Sequence, residues 1–262
     1  MIPKVIHYCW FSEDPYPPKI AECIASWKKF MPDYQIKRWS AENFDINSVQ
    51  LVRDAVEQKK WAFATDYIRL FALYNEGGIY LDSDVLLHQN IQVLLKANYV
   101  SAIEFHPIDL KKHKQSITLD FKRKENLDYV AGVGLQAAFM ASIPHHPFLE
   151  KCLAKYENIS LNQIIEKNLL APTMQALVAE EFGFLYKNEE QHLDNSIVLY
   201  PTSVIGQNAY ERKGRKASHL CAGSWEKSYL KHKIIDLLNN RWHILPFLYK
   251  AMSFFKSKKN KN

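Results

Sequence analysis

The stretch that decides the fold runs from Ala64 to Asp84 and reads A-T-D-Y-I-R-L-F-A-L-Y-N-E-G-G-I-Y-L-D-S-D. From Trp61 to Tyr74, the residues Phe63, Tyr67, Leu70, Phe71 and Tyr74 recur mostly at spacings of three and four, which predicts an amphipathic helix. Gly77 and Gly78 follow, where a left-handed turn can stop the helix without a Cβ penalty. Ile79-Tyr80-Leu81 is short and β-prone, as a buried strand is. The chain then leaves that strand through Asp82, Ser83 and Asp84.

Carboxylates two residues apart at a strand end can both turn toward one ion once the chain leaves the sheet. Hard divalent cations take oxygen ligands and share them with substrate phosphates. Asp66 and Arg69 stand three apart and so occupy one helix face. The plainer alternative makes Asp82 and Asp84 turn residues and Asp66–Arg69 a surface ion pair. The apolar strand and double glycine directly upstream weigh toward a site.

Working outward, Ile2–Phe11 (I-P-K-V-I-H-Y-C-W-F) reads as a first buried strand, and the prolines of Ser12–Pro18 as a loop. Pro18–Phe30 has helical spacing and Gln35–Trp39 reads as a second strand. This β-loop-α-β order is how a nucleotide-binding half-sheet begins, with its ligand crevice at the carboxyl ends of the strands. Trp10 and Phe11 fall at such an end, and Trp10 is read either as core filler or as a ligand platform. Asp45–Lys59 is expected to be a connecting helix. Tyr99–Phe105 is a further strand, followed by a charged segment, 106–128, carrying K-K-H-K and K-R-K-E. That segment is expected to be a mobile loop, either merely solvated or holding a phosphate-bearing acceptor. Tyr129–Ser142 is apolar with two close glycines, and Gln136 is polar within it. His145 and His146, adjacent on a Pro-flanked turn, are not expected to share a metal. Helices are expected from Pro147 to about Tyr156 and over Met174–Glu181, and a late strand over Ser196–Tyr200.

The run R-L-F-A-L-Y-N-E-G-G-I-Y-L-D-S-D resembles the core motif of the D-x-D glycosyltransferases of family 32. The likeness extends over most of residues 2–225 but is strongly specific only between Ala64 and Asp84. It implies a GT-A fold, a nucleotide-sugar donor, retention of anomeric configuration and a Mn²⁺ or Mg²⁺ ion. The I-P-K-x-I-H-x-x-W opening resembles the one that gives the family an aromatic platform for the base, which assigns that role to Trp10. The strand at 129–142 resembles one that offers an amide or small polar side chain to the donor sugar, here Gln136. Ala171, where relatives carry glycine before proline, departs from the pattern. His219-Leu220-Cys221-Ala222-Gly223-Ser224-Trp225 resembles the family's closing H-x-x-x-x-S-W. Imidazole is a good third ligand for Mn²⁺ beside carboxylates, and the Gly-Ser pair can present an amide and a hydroxyl to a diphosphate.

At 262 residues the chain can bury one large α/β core, and 47% hydrophobic with 24% charged residues is ordinary for a globular protein. The net charge of +6 is uneven: residues 226–262 hold nine Lys/Arg against two acids. The basicity therefore belongs to the tail, and the body carries no sign of a nucleic-acid groove. Four scattered cysteines form no C-x-x-C pair, which favours free thiols over zinc or disulfides. No secretory leader and no apolar run of about twenty residues is read, which points to the cytoplasm. The tail interleaves Trp242, Phe247, Phe254 and Phe255 with lysines, the pattern of a basic amphipathic segment lying on an anionic membrane surface or packed on the body.

The expected protein is thus α/β, a GT-A-type mixed sheet flanked by helices over 1–225, with a helical basic tail over 226–262. Asp82, Asp84 and His219 are the expected metal ligands, and Asp66, Arg69 and Asp84 the catalytic group. Trp10, Asp66, Arg69, Asp82, Ser83, Gln136, Ser224 and Trp225 are expected to bind a UDP- or GDP-sugar. The acceptor is expected to be a saccharide or lipid-linked saccharide in bacterial capsule or O-antigen synthesis, met at the cytoplasmic face of the membrane. Two rivals stay open: a metal-dependent nucleotidyltransferase or phosphohydrolase, and a non-catalytic, membrane-docked nucleotide- or sugar-binding scaffold.

Overall fold

The structure, a computed structural model, describes residues 1–207 and 214–222. Ser224, Trp225 and the tail 226–262, with the domain boundary expected there, lie outside the described residues. Strand β1 (Val5–Cys9), helix α1 (Pro18–Phe30) and strand β2 (Gln35–Trp39) form a β-α-β unit, with β1 and β2 paired in parallel. Pro18 opens α1, where its missing N–H costs nothing, and Lys28 and Lys29 lie at the negative end of the helix dipole. The connecting helix α2 (Gln50–Glu57) is shorter than expected. Asp45 Oδ1 accepts the Asn47 amide at 3.0 Å and the Asp45 carbonyl accepts Ser48 Oγ at 2.6 Å. These local bonds compete with helical ones and delay the helix start.

Helix α3 (Trp61–Glu76) and strand β3 (Gly78–Leu81) realise the central stretch. Gly77 and Gly78 have φ of +64° and +104°. A Cβ on Gly78 would stand 2.5 Å from Val5 Cγ1, and one on Gly77 would stand 2.7 Å from Pro144 Cδ. Both positions therefore need glycine for conformation and for space.

Beyond β4 (Val85–Leu87) and β5 (Tyr99–Phe105), the segment expected to be a mobile loop is built. It holds helix α4 (Pro107–Lys112), a 3₁₀ turn at Lys114–Ser116 and a short turn closed by an Ile117–Arg123 bridge. Its charges misled the sequence reading, since only Leu110 and Ile117, seven residues apart, pack on the main apolar cluster from within it. Strand β6 (Val133–Ser142) leads to α5 (Pro147–Glu157), α6 (Leu161–Glu166) and α7 (Ala171–Ala179). The sequence reading missed α6, which a Ser160–Gln163 capping box starts. Strands β7 (Gln191–Leu193), β8 (Ile197–Tyr200), β9 (Ile205–Gln207) and β10 (Ala217–His219) complete the described chain.

The main sheet has seven strands in the order β2-β1-β3-β6-β5-β8-β7, mixed because β6 and β7 run against the rest. A small sheet, β4-β10-β9, stands beside it. Two apolar clusters line the two faces of the main sheet. Tyr80 and Met140 belong to the cluster containing α3, α5 and α7, whereas Ile79, Leu81 and Ala141 belong to that containing α1 and β4. That alternation is the period-two geometry of a strand buried on both sides. The expected α/β architecture, a mixed sheet flanked by helices, is the one found.

Candidate metal and donor site

β1, β2, β3, β5 and β8 run in parallel, so their carboxyl ends share one edge of the sheet. Asp82 follows β3 at that edge. Side chains two apart on a strand face the same way, so Asp82 lies on the Tyr80 side, toward α3. Tyr80 Oη donates to Asp82 Oδ1 at 2.9 Å, and the Asp82 amide donates to the Ala138 carbonyl at 2.9 Å. Ser83 lies in the turn that the Val85 amide closes onto the Asp82 carbonyl at 2.9 Å. Asp84, 3% exposed, follows directly.

His219 comes from the far end of the described chain. β10 pairs antiparallel with β4, setting His219 opposite Val85, and the Leu220 amide donates to the Asp84 carbonyl at 3.0 Å. The His219 Nε2 atom is 3.2 Å from Asp84 Oδ1 and 4.0 Å from Asp82 Oδ2. One ligand atom from each of Asp82, Asp84 and His219 lies within 4.8 Å of the others. Burial opposes charge on the imidazole, but the Asp84 carboxylate beside it prevails and holds its pKa well above the ordinary value. Two carboxylates and one imidazole form a donor set suited to a hard-to-borderline divalent cation, so the residues fit the metal that the motif implies.

Arg69, on α3, is 5% exposed and spends its donors inside the protein. Nε donates to the Thr65 carbonyl at 3.0 Å and Nη1 to the Ala137 carbonyl at 2.7 Å. Nη2 stands 3.0 Å from Asp66 Oδ1, and Nη1 stands 3.4 Å from Asp82 Oδ1. The guanidinium thus bridges the helix carboxylate to the D-x-D carboxylate, with the Tyr80 ring 5.0 Å beneath it. Arg69 is therefore a positioning residue for both aspartates, which the sequence reading allowed only for Asp66. The Asp66 carboxyl is pushed up to about 6: burial raises it most, Arg69 opposes, and Asp82 adds repulsion.

The Ala138 carbonyl meets the Asp82 amide as the next rung of the β3–β6 ladder, whereas the Ala137 carbonyl lies where β6 bulges away from β5. The β5–β6 register breaks between Ser101 and Ile103, and Ser101 Oγ spans the irregularity with bonds to the Gln136 and Phe139 carbonyls at 3.0 and 2.9 Å. A bulge beside a site re-aims backbone groups, and here the Ala137 carbonyl within it accepts from Arg69. Gln136 lies in the bulge, 1% exposed, with its amide nitrogen unpartnered among the described residues. Trp10 follows β1 at the same sheet edge, half-buried, with Tyr16 edge-on at 5.1 Å. Its indole nitrogen is buried and unpartnered among the described residues.

The structure thus brings Asp66, Arg69, Asp82, Asp84 and His219 together, with Ser83 in their turn and Gln136 in the adjoining bulge. Ser224 and Trp225 lie outside the described residues. The sequence reading missed Tyr80, whose signal was its place two residues before Asp82. It missed the Ala137 and Ala138 carbonyls too, for which no residue type gives a signal.

Residues 17–101 match the family described as glycosyltransferase sugar-binding region containing DXD motif. An inositol phosphoceramide mannosyltransferase 2 of Schizosaccharomyces pombe is 23% identical over 214 residues, covering 76% of this chain and 50% of the relative. The chain therefore spans about half the length of that curated relative. Among solved structures, the PaToxG glycosyltransferase is 17% identical with a TM-score of 0.46, covering 69% of each chain. The galactosyltransferase LgtC with donor and acceptor sugar analogs is 14% identical with a TM-score of 0.38, covering 86% of this chain and 91% of that one. Among the described residues no helix is long and apolar enough to cross a membrane. The Asp82-Ser83-Asp84 turn falls inside the matched region, so over residues 17–101 the chain is similar to the D-x-D glycosyltransferase sugar-binding family.

Proposed function

We propose that this chain transfers a sugar from a nucleotide-diphosphate-sugar to a saccharide or lipid-linked saccharide, with a divalent cation held by Asp82, Asp84 and His219. The observation that carries this is the meeting of those three side chains within 4.8 Å at the carboxyl edge of the sheet. When bound there, Mn²⁺ or Mg²⁺ supplies Lewis-acid neutralisation of the charge that develops on the departing diphosphate. Asp66, held by Arg69, accepts hydrogen bonds from donor hydroxyls. Trp10 gives the base an aromatic face, and Gln136 turns its spare amide N–H toward the sugar. Ser83 lines the turn, and Ser224 and Trp225 are the further diphosphate-binding residues of this reading. Fixing donor and acceptor together converts a bimolecular encounter into an effectively unimolecular step.

Transfer proceeds with retention by front-side displacement. The donor is a UDP- or GDP-sugar, and the relative's printed name supports a mannosyl donor and a phosphate-bearing lipid acceptor. The setting is the synthesis of a bacterial surface polysaccharide at the cytoplasmic face of the membrane, with the basic segment 226–262 on the anionic lipid.

The test is turnover of UDP- and GDP-sugars with and without Mn²⁺ by wild type and Asp84→Asn. We expect cation-dependent release of nucleoside diphosphate with glycoside formation, reduced at least ~100-fold in the variant, the scale for losing an electrostatic stabiliser of the leaving group. Wild-type turnover in Asp84→Asn would refute the metal assignment.

A further inference from the structure

We propose that the bridge-closed turn Ile117–Arg123 is a lipid-docking prong, which enters the headgroup layer of an anionic bilayer beside the site. At its tip Leu119 is 103% exposed and Phe121 46%, two large apolar side chains two positions apart in one short turn. The same segment carries exposed lysines at 111, 112, 114, 122 and 124. Lys112 pairs with Asp109 and Lys122 with Asp120, whereas Lys111, Lys114 and Lys124 make no ion pair among the described residues. An apolar tip on a lysine-rich segment matches a surface whose negative headgroups overlie hydrocarbon.

The prong is braced. The Thr118 amide donates to the Lys122 carbonyl at 2.9 Å, and the Lys122 amide donates to Thr118 Oγ1 at 3.1 Å. At its root Arg123 grips Glu180 through two bonds of 2.8 Å, and Tyr186 Oη donates to the same carboxylate at 2.6 Å. Phe121 has φ of +61°, a conformation costly for a bulky side chain, and its carbonyl accepts the Tyr186 amide at 2.8 Å. Lys187 Nζ stands 5.7 Å from the centre of the Phe121 ring and steadies it from the body of the protein. The exposed apolar surface is one leucine and half a phenylalanine, far less than the ~800 Å² per partner of a stable protein interface. As a wedge into lipid it is large enough.

Topology roots the segment that carries the prong at the edge of the sheet where the chemistry lies. Segment 106–132 leaves the carboxyl end of β5 and returns to the start of β6, the edge from which β3 delivers Asp82. That docking serves transfer to a lipid-linked acceptor rests on the proposed function; the docking itself does not.

The experiment uses the full chain carrying Cys221→Ser and Leu119→Cys, labelled at 119 with an environment-sensitive fluorophore; the other three cysteines are buried. Vesicles of zwitterionic lipid alone are compared with vesicles containing about 30 mol% anionic lipid. We expect a blue shift at 119 on anionic vesicles and none on zwitterionic ones. In the otherwise native chain, Leu119→Asp should lower vesicle partitioning about tenfold at unchanged melting temperature, the scale of one buried leucine. Three outcomes overturn the proposal. They are flotation with vesicles while the probe stays in water, a shift that grows with protein concentration without vesicles (self-association), and equal partitioning of Leu119→Asp. Donor turnover in vesicle-free buffer is read separately, so loss of docking is told apart from failure of the transferase reading.

Discussion

At the scale of single residues, the site is governed by one buried cation among carboxylates. Arg69 meets Asp66 and Asp82 at 3.0 and 3.4 Å while also satisfying the Ala137 carbonyl. Replacing it with methionine keeps the volume but leaves two carboxylates uncompensated, and breaking a buried pair in this way costs about 3–5 kcal/mol. Denaturant melts of Arg69→Met should show that loss, and a change below 1 kcal/mol would contradict the bridging role. Asp66, with its carboxyl pushed up to about 6, gives a pH signature with two opposite signs. A carboxyl whose folded pKa lies above its unfolded value adds stability at low pH, and that stability is lost as pH rises through about 6. Donor binding moves the other way, because a protonated Asp66 surrenders acceptor capacity as pH falls below about 6. Calorimetric titration of donor at pH 5 and 7.5 should show weaker binding at the lower pH in wild type and a flatter dependence in Asp66→Asn.

At the scale of elements, the α3–β3 junction sets where the carboxylates emerge. Gly78 is locked by its φ of +104° and by Val5 Cγ1 and the Val5 carbonyl, 2.5 and 2.7 Å from where a Cβ would sit. Gly78→Ala is expected to destabilise by about 2–4 kcal/mol, combining a strained backbone with overpacking against β1. Equilibrium unfolding measures it, and a loss under 0.5 kcal/mol would show that the strand can shift without cost. The bulge in β6 is the second such device. It presents the Ala137 carbonyl to Arg69, so it ties the sheet centre to the site. The short β4–β10 pairing is the third, because it alone sets His219 opposite Val85.

For the whole molecule, the cation would join parts of the chain more than a hundred residues apart, Asp82 and Asp84 with His219. A ligand that binds only the folded state stabilises it by mass action, by about 2.7 kcal/mol at a hundredfold excess over its dissociation constant. Mn²⁺ should therefore raise the melting temperature of wild type, a chelator should reverse the rise, and His219→Ala should blunt it. A melting temperature indifferent to Mn²⁺ would remove the metal from the account.

Much was legible beforehand because it is local. Helical spacing in Trp61–Tyr74, the double glycine, the apolar strand and the Asp82-Ser83-Asp84 exit follow from backbone sterics and hydrophobic periodicity within about twenty residues. They announced the sheet and the acidic pair before any coordinate was known. The segment 106–128 was misread as a mobile loop, since lysines report exposure and not whether a chain is braced from beneath by Arg123–Glu180. The register of β10 against β4, the bulge and the burial of Arg69 depend on long-range pairing and on backbone carbonyls. No residue type encodes these by itself. The amino-acid sequence determined by itself which groups could hold a cation and a diphosphate; the tertiary structure decided that they meet, because only closure of the two sheets brings His219 to 3.2 Å from Asp84.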